Sequence, residues 1–504
     1  MLQSLIPGGS RVSLWVVFCV GMLCGPSTAP LFAQVSKPAA DTTTDDEPEA
    51  DADEQMGLVD TAKGNQGGLE ERFHDPNAAD ALENRFPELF PRAVTSEAMN
   101  ARMEKAVNAM AMGGSVDRVQ VANYLQSQAA IITKHSNIEA ILNPEAPSKA
   151  VNDMEAAAAR MRHPLELAVE RRNTSFRRIY TEALLAMAGD LLKNHLFARI
   201  WTMEALSRSM EDSAVPVFIA QLDDADQALS VKLLAAVGLT NLTEQGTRDL
   251  GTQNATKAAQ SLANFLDRER NAFWPVQYRA LEALGSLRVS TMSSTQPKAE
   301  FAETALRFLS DRNAAPATRA WAGWALGMMR PLNPQYNFAL VAYHDGLATA
   351  DIGDEILNVR SKNPQRALRL TEFLIPLHQS FVGVGSGARN SGLLNAANPH
   401  LNAQKSKVSA VEGLVRDVLA RAIELSQAAG SQLKEREAAL KSAVTALRDA
   451  LKTPPAELAL IPGGDTFPAP AESSSPTTSN GRAAEALASP ARGTKTTAIN
   501  HRGR

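Results

Sequence analysis

Ala198-Arg-Ile-Trp-Thr-Met-Glu-Ala-Leu-Ser207 recurs three times in altered form, as Leu229-Ser-Val-Lys-Leu-Leu-Ala-Ala-Val-Gly238, Val276-Gln-Tyr-Arg-Ala-Leu-Glu-Ala-Leu-Gly285 and Thr318-Arg-Ala-Trp-Ala-Gly-Trp-Ala-Leu-Gly327. The closing residues 207, 238, 285 and 327 stand 31, 47 and 42 positions apart, the period range of helical-hairpin repeats. Within the second word, Val231, Leu234, Ala235, Gly238, Leu239 and Leu242 share one helical face; Ala317, Ala320, Trp321, Trp324, Ala325 and Met328 do so in the fourth. The small residues near each word's end, Ala205, Ala236, Ala283 and Ala325, let neighbouring helices approach closely, so they are expected to form the layer between units.

Ahead of three words a second apolar segment ends in a similar signature, Leu222-Asp223, Phe265-Leu266-Asp267 and Phe308-Leu309-Ser310-Asp311. Pro275 and Pro316 stand where the next helix begins, a position at which a missing N–H costs least. Helix, turn, helix is therefore the repeating unit. A hairpin of this kind buries its apolar face only against its neighbours, so the chain is expected to be all-α and stacked as an α-solenoid over residues 171–330.

Outward from the repeats, composition supports this reading. At 504 residues the chain exceeds the size at which one compact core stops growing, near ~250–300 residues, a limit that a repeat stack avoids. Aromatics are 5% of the residues and the mix favours helix. Residues 69–170 carry helical periodicity without the word and read as an N-terminal cap. Met99, Met103, Ala106, Val107 and Met110 form a stripe ended by Gly113-Gly114, and Val119, Ala122, Leu125, Ala129 and Ile132 line a second helix. Residues 331–452 hold further helices: one is opened by Asn363-Pro364 and interrupted at Pro376, and a closing hairpin is lined by Val408, Val415, Val418 and Leu425 and by Leu440, Val444, Leu447 and Leu451. Residues 453–504, rich in Pro, Ser and Thr, read as a disordered tail.

At the other end, Arg11 precedes an apolar run from Val12 to Cys24, too short to span a bilayer at ~20 residues and laid out like a signal peptide over residues 1–33. The protein is thus expected to be exported, to the periplasm, envelope or exterior, without a membrane span after cleavage. Both cysteines, Cys19 and Cys24, lie in this segment, which leaves no disulfide, thiol nucleophile or Cys-bound metal for a mature chain. Residues 34–68 form an acidic linker: eight carboxylates against one lysine between Lys37 and Glu54 give −7, against −4 for the whole chain. The remaining charge is close to neutral, so bulk charge gives no support for nucleic-acid binding.

Chemistry-bearing patterns are sparse. The eight histidines show no metal-ligand spacing, and no hydrolase or metalloprotease motif appears. The nearest general-base pair is Tyr343-His344-Asp345, placed by pattern at a helix end. Gly383-Val-Gly-Ser-Gly-Ala-Arg-Asn-Ser-Gly392 lacks both the preceding strand and the Lys-Ser or Lys-Thr of a phosphate loop, and reads as an interhelical connection. Arg160, Arg162, Arg171, Arg172, Arg177 and Arg178 suggest a basic patch for an anionic polymer, or a solvated face tempered by Glu166 and Glu170. No catalytic, cofactor or metal residue is assigned.

The endings Glu-Ala-Leu-Ser207, Glu-Ala-Leu-Gly285 and Trp-Ala-Leu-Gly327, with Arg199 and Arg319 near the word starts, resemble HEAT repeats, in particular the short phycobilisome-lyase type. The resemblance covers about 150 residues and departs from the pattern in its unequal spacing and in Val237-Gly238. It implies a scaffold that binds a protein or peptide along the face of the second helices. The alternative that it implies is a lyase-like accessory enzyme or chaperone for a pigment-bearing or other client protein.

Overall fold

The computed structural model describes residues 86–142, 148–243, 248–293, 295, 298–384 and 391–468. The signal-like segment, the acidic linker and the final residues 469–504 lie outside this set. All regular structure among the described residues is helical: sixteen α-helices, three 3-10 turns and no strand, with two isolated bridges joining Val289 to Arg330 and Ala459 to Thr466.

The described residues fall into two compact units, one reaching Asn254 and adding Glu269–Ala280, the other comprising Ala255–Arg268 and the chain from Leu281 onward. The division lies within the stretch that carries the four words.

The first unit contains α1 (Glu97–Ala111), α2 (Arg118–Thr133), α3 (His135–Leu142), α4 (Ser148–Glu170), α5 (Thr174–Leu191), α6 (Leu196–Ser207), α7 (Val215–Asp223) and α8 (Leu229–Leu242). Four starts are set by side chains that take an otherwise orphaned N–H: Ser96 accepts from Met99, Asp117 from Val119 and Gln120, Asn173 from Phe176, and the His195 ring from Ala198. The methionine stripe of α1 is only partly core. Val107 and Met110 are buried, Met103 and Ala106 half-buried, and Met99 is 48% exposed. On α2 the buried face runs through Val121, Tyr124, Leu125, Gln128 and Ile132, which turns Val119 outward at 67% exposure. Tyr124 fixes that rotation, since its hydroxyl donates to the Arg160 carbonyl at 2.9 Å.

Helices α9 (Thr252–Arg268) and α10 (Trp274–Ser286) have residues in both units, and the second unit continues with α11 (Glu300–Ser310), α12 (Pro316–Met328), α13 (Phe338–Val359), α14 (Pro364–Val382), α15 (Pro399–Gln427) and α16 (Gln432–Ala450). The four words thus occupy four separate helices, α6, α8, α10 and α12. Ala205, Ala236, Ala283 and Ala325 are all buried. Word touches word directly: α6 packs on α8, and a Cβ on Gly285 would stand 2.6 Å from the Cα of Ala325.

Helix α12 is not amphipathic in use. From Ala317 to Met328 only Trp321 keeps a half-exposed side chain, since α11, α13 and α14 all pack against this helix. The closing hairpin α15–α16 docks on α13, where a Cβ on Gly353 would meet Val444 at 2.5 Å.

Two expectations need correction. Pro376 does not interrupt its helix. Helix α14 runs through it because Leu374, Leu377 and Phe381, on either side, are fully buried, and that packing outweighs the ~3 kcal/mol of an internal proline. Nor does the body end at 453, since residues 453–468 fold back on the second unit with Leu460, Ile461 and Phe467 buried.

Candidate functional site

The acid–base candidate Tyr343-His344-Asp345 lies in the interior of α13, not at a helix end, and all three side chains are buried. Adjacent helical positions do not face each other, and the two titratable groups find different surroundings. The His344 ring meets Tyr343 edge-on at 5.2 Å. Burial, reinforced by Arg319, brings His344 down to about 4, so the imidazole is neutral at ordinary pH. Asp345 lies 2.5 Å from the Ser380 hydroxyl of α14 and presses its other oxygen on the Cα side of Gly323. Burial pushes its carboxyl up to about 8 against the pull of Ser380 and Arg319. His344 Nε2, Asp345 Oδ1 and Thr349 Oγ1 have no hydrogen-bond partner among the described residues. The constellation joins α12, α13 and α14 at a polar seam with no exposed face.

Two turns further along α13, Asp351 gathers three arginines. Arg312 and Arg448 donate to Oδ1 at 2.7 and 2.8 Å, and Arg319 donates to Oδ2 at 2.9 Å. Burial alone raises a carboxyl, yet these three cations hold Asp351 below its ordinary value. Arg448 also bonds Asp354 at 2.6 Å, which ties α16 to α13.

The residue at the second place of a word has a recurring task. Arg199 donates to Gln227 at 2.9 Å, Gln277 to the Arg270 carbonyl at 2.7 Å, and Arg319 to the Leu309 carbonyl at 3.2 Å. In the last two cases the acceptor is a carbonyl in or near the end of the helix before the word. At Gln277 and Arg319 the long donor is therefore a clamp onto the preceding helix, visible in sequence only as a charge or amide at the word's start.

Of the six clustered arginines, three are committed to glutamates of the first unit: Arg160 to Glu104 at 3.1 Å, Arg162 to Glu204 and Glu166, and Arg177 to Glu211 at 3.4 Å. Arg171, Arg172 and Arg178 are the exposed remainder. The patch expected from sequence is thus about half its apparent size. At the glycine-rich segment, residues 385–390 lie outside the described set. Its ends are drawn together, with Val384 N–H donating to Ser391 Oγ at 3.3 Å and Gly392 N–H to the Gly327 carbonyl at 2.8 Å. Among the described residues no group of three His, Cys, Asp or Glu could hold a metal ion, and no helix is long and apolar enough to cross a membrane.

What remains is a pattern of aromatic side chains. The chain has five tryptophans, and Trp201, Trp274, Trp321 and Trp324, all except Trp15, lie on word helices. Each is paired along its helix: Phe197 with Trp201 at 5.5 Å, Trp274 with Tyr278 at 5.9 Å, Trp321 with Trp324 at 5.1 Å. One member of each pair is buried, whereas Phe197, Trp274 and Trp321 are only half covered. Arg279 lies over the Tyr278 ring at 4.7 Å. Partly exposed aromatics are among the side chains that carry most of the energy in protein recognition. No family model, no curated protein and no solved structure matches the chain, so a functional reading rests on this geometry.

Proposed function

We propose that the chain is an exported α-solenoid of HEAT-like repeats whose work is to bind a protein or peptide, not to catalyse a reaction. The observation that supports this is the half-covered aromatic on three of the four word helices, Phe197, Trp274 and Trp321, each braced by a buried aromatic partner. The word helices are otherwise buried nearly all round, so a partner meets them through these side chains and the turns that lead into them. Export is read from the apolar run of residues 12–24. The test is capture from an envelope fraction by the wild-type chain and by the triple variant Phe197→Ala, Trp274→Ala, Trp321→Ala, with helical content checked for both. The reading requires a protein held by the wild type and released by the folded variant. An identical captured set would end it.

A further inference from the structure

The chain leaves α16 at Ala450 and does not leave the body. Leu458-Ala-Leu-Ile-Pro-Gly-Gly-Asp-Thr-Phe467 doubles back as a small two-armed loop. Phe467 N–H donates to the Leu458 carbonyl at 2.7 Å, and Ala459 bridges Thr466 antiparallel. The tip is a turn with Pro462 second and Gly463 third, where Gly463 has φ +76° and Gly464 N–H donates to the Ile461 carbonyl at 3.1 Å.

The body holds this loop largely by its main chain. Asn337, the N-cap of α13, donates its own N–H to the Leu460 carbonyl at 2.8 Å and its side-chain amide to the Glu457 and Ala459 carbonyls at 2.9 and 3.2 Å. Its side-chain oxygen meanwhile accepts from Leu340 N–H, so the amide is fixed before any segment arrives. On α11, Glu303 accepts from Asp465 N–H at 3.2 Å and Arg307 faces the Asp465 carboxylate at 3.7 Å. The Phe467 backbone lies against the His344 ring, and Leu460, Ile461 and Phe467 are buried. Main-chain contacts of this kind serve any segment that can reach them, while the buried side chains select among them. The connector at residues 452, 453, 456 and 457 is exposed and non-helical, so the loop can depart without unwinding α16.

We propose that the surface formed by α11 and the start of α13 is a peptide-binding groove occupied in cis by residues 457–467, and that it accepts in trans a turn-forming peptide of the same chemistry: an aliphatic pair, a proline–glycine turn and an aromatic. Tethering gives the resident segment an effective concentration of order mM, so an outside peptide enters only when the resident is weakened or cut free. This inference does not depend on the aromatic pairs, which belong to other side chains and a different assay.

The test inserts a specific protease site between Thr453 and Pro454 of the full chain, cuts the folded protein, and adds labelled peptide 454–468 while following fluorescence anisotropy. The uncut chain should not take up the peptide. The cut chain should exchange its own segment for it saturably, and peptide carrying Phe467→Ala should bind at least about tenfold more weakly, the weight of a buried aromatic anchor. An uncut chain with Leu460→Ala and Phe467→Ala should also admit the wild-type peptide. A folded cut chain that binds no peptide, or binds both peptides equally, overturns the proposal. Loss of helical signal on cutting overturns it too, because the loop would then be part of the core and not an occupant.

Discussion

Ser380 Oγ stands 2.5 Å from Asp345 Oδ2 and 2.7 Å from the Leu377 carbonyl, and it has one proton to give. The hydroxyl is shared between these two acceptors, and burial outweighs its pull on Asp345, lifting the carboxyl to about 8. A value raised from 3.8 in the unfolded chain means stability that is whole below 3.8 and is lost as pH rises through 8. His344 and His195, both lowered from 6.5 to about 4 by burial, act in the opposite sense: their contribution is whole above 6.5 and is lost as pH falls through 4. Between 4 and 6.5 these linkages oppose one another; from 6.5 to 8 Asp345 acts without the histidines. Stability should therefore fall between pH 6.5 and 8 by an amount on the order of 2 kcal/mol, and the melting temperature with it. Asp345→Asn should flatten that slope. A wild-type melt flat over this range would mean that Asp345 is already ionised.

The Asp351 junction should be costly to open. Asp351→Asn leaves Arg319, 4% exposed, without its anion, and breaking a buried pair from one side costs ~3–5 kcal/mol. Arg366→Ala removes an exposed pair with Glu355 and should cost under ~1 kcal/mol. Denaturant unfolding of the two variants measures the difference, and equal costs would show that the arginines around Asp351 are solvated in solution.

The helical class and the four word helices were legible because Ala and Gly recur at one place in a fixed apolar frame, and Gly285 on Ala325 is the contact that such a frame predicts. The exposed end of the methionine stripe was not legible, since periodicity gives a face but not its rotation; Tyr124 decides that from a neighbouring helix. The loop at 458–467 was hidden by composition. Pro, Gly and Ala mark disorder when averaged over fifty residues, yet Leu-Ile-Pro-Gly-Gly is a turn signal between two apolar arms. The clamp at the word's second place was present as Gln277 and Arg319, but its carbonyl partners belong to backbone geometry that no sequence displays.

Two helical glycines should respond in opposite directions to alanine. At Gly413 of α15 an added Cβ meets nothing within 4 Å, so Gly413→Ala should stabilise by the ~0.5–1 kcal/mol of helix propensity. At Gly285 the same Cβ meets backbone that cannot rotate away, and overpacking at ~1–3 kcal/mol exceeds the propensity gain. Gly285→Ala should lower the melting temperature where Gly413→Ala raises it. Stabilisation by both would place α10 and α12 further apart than the Gly285–Ala325 contact allows.

Ending the chain at Thr453 and ending it at Pro468 should give different proteins. Leu460, Ile461 and Phe467 are buried, and removing a large buried side chain costs ~2–5 kcal/mol even without the hydrogen bonds that Asn337 and Glu303 make to the same segment. The chain ended at Thr453 should therefore melt several degrees below the chain ended at Pro468, at ~2–4 °C per kcal/mol for bodies of this size. Both should keep their helical signal at 25 °C, since no helix includes residues 453–468. Within the longer chain, Phe467→Ala should reproduce much of the loss, whereas Asp465→Ala should shift stability by no more than ~0.5 kcal/mol, its carboxylate being 62% exposed and 3.7 Å from Arg307. Coincident melting curves for the two truncations would show that the loop is not seated on the second unit in solution, and would remove the groove along with it.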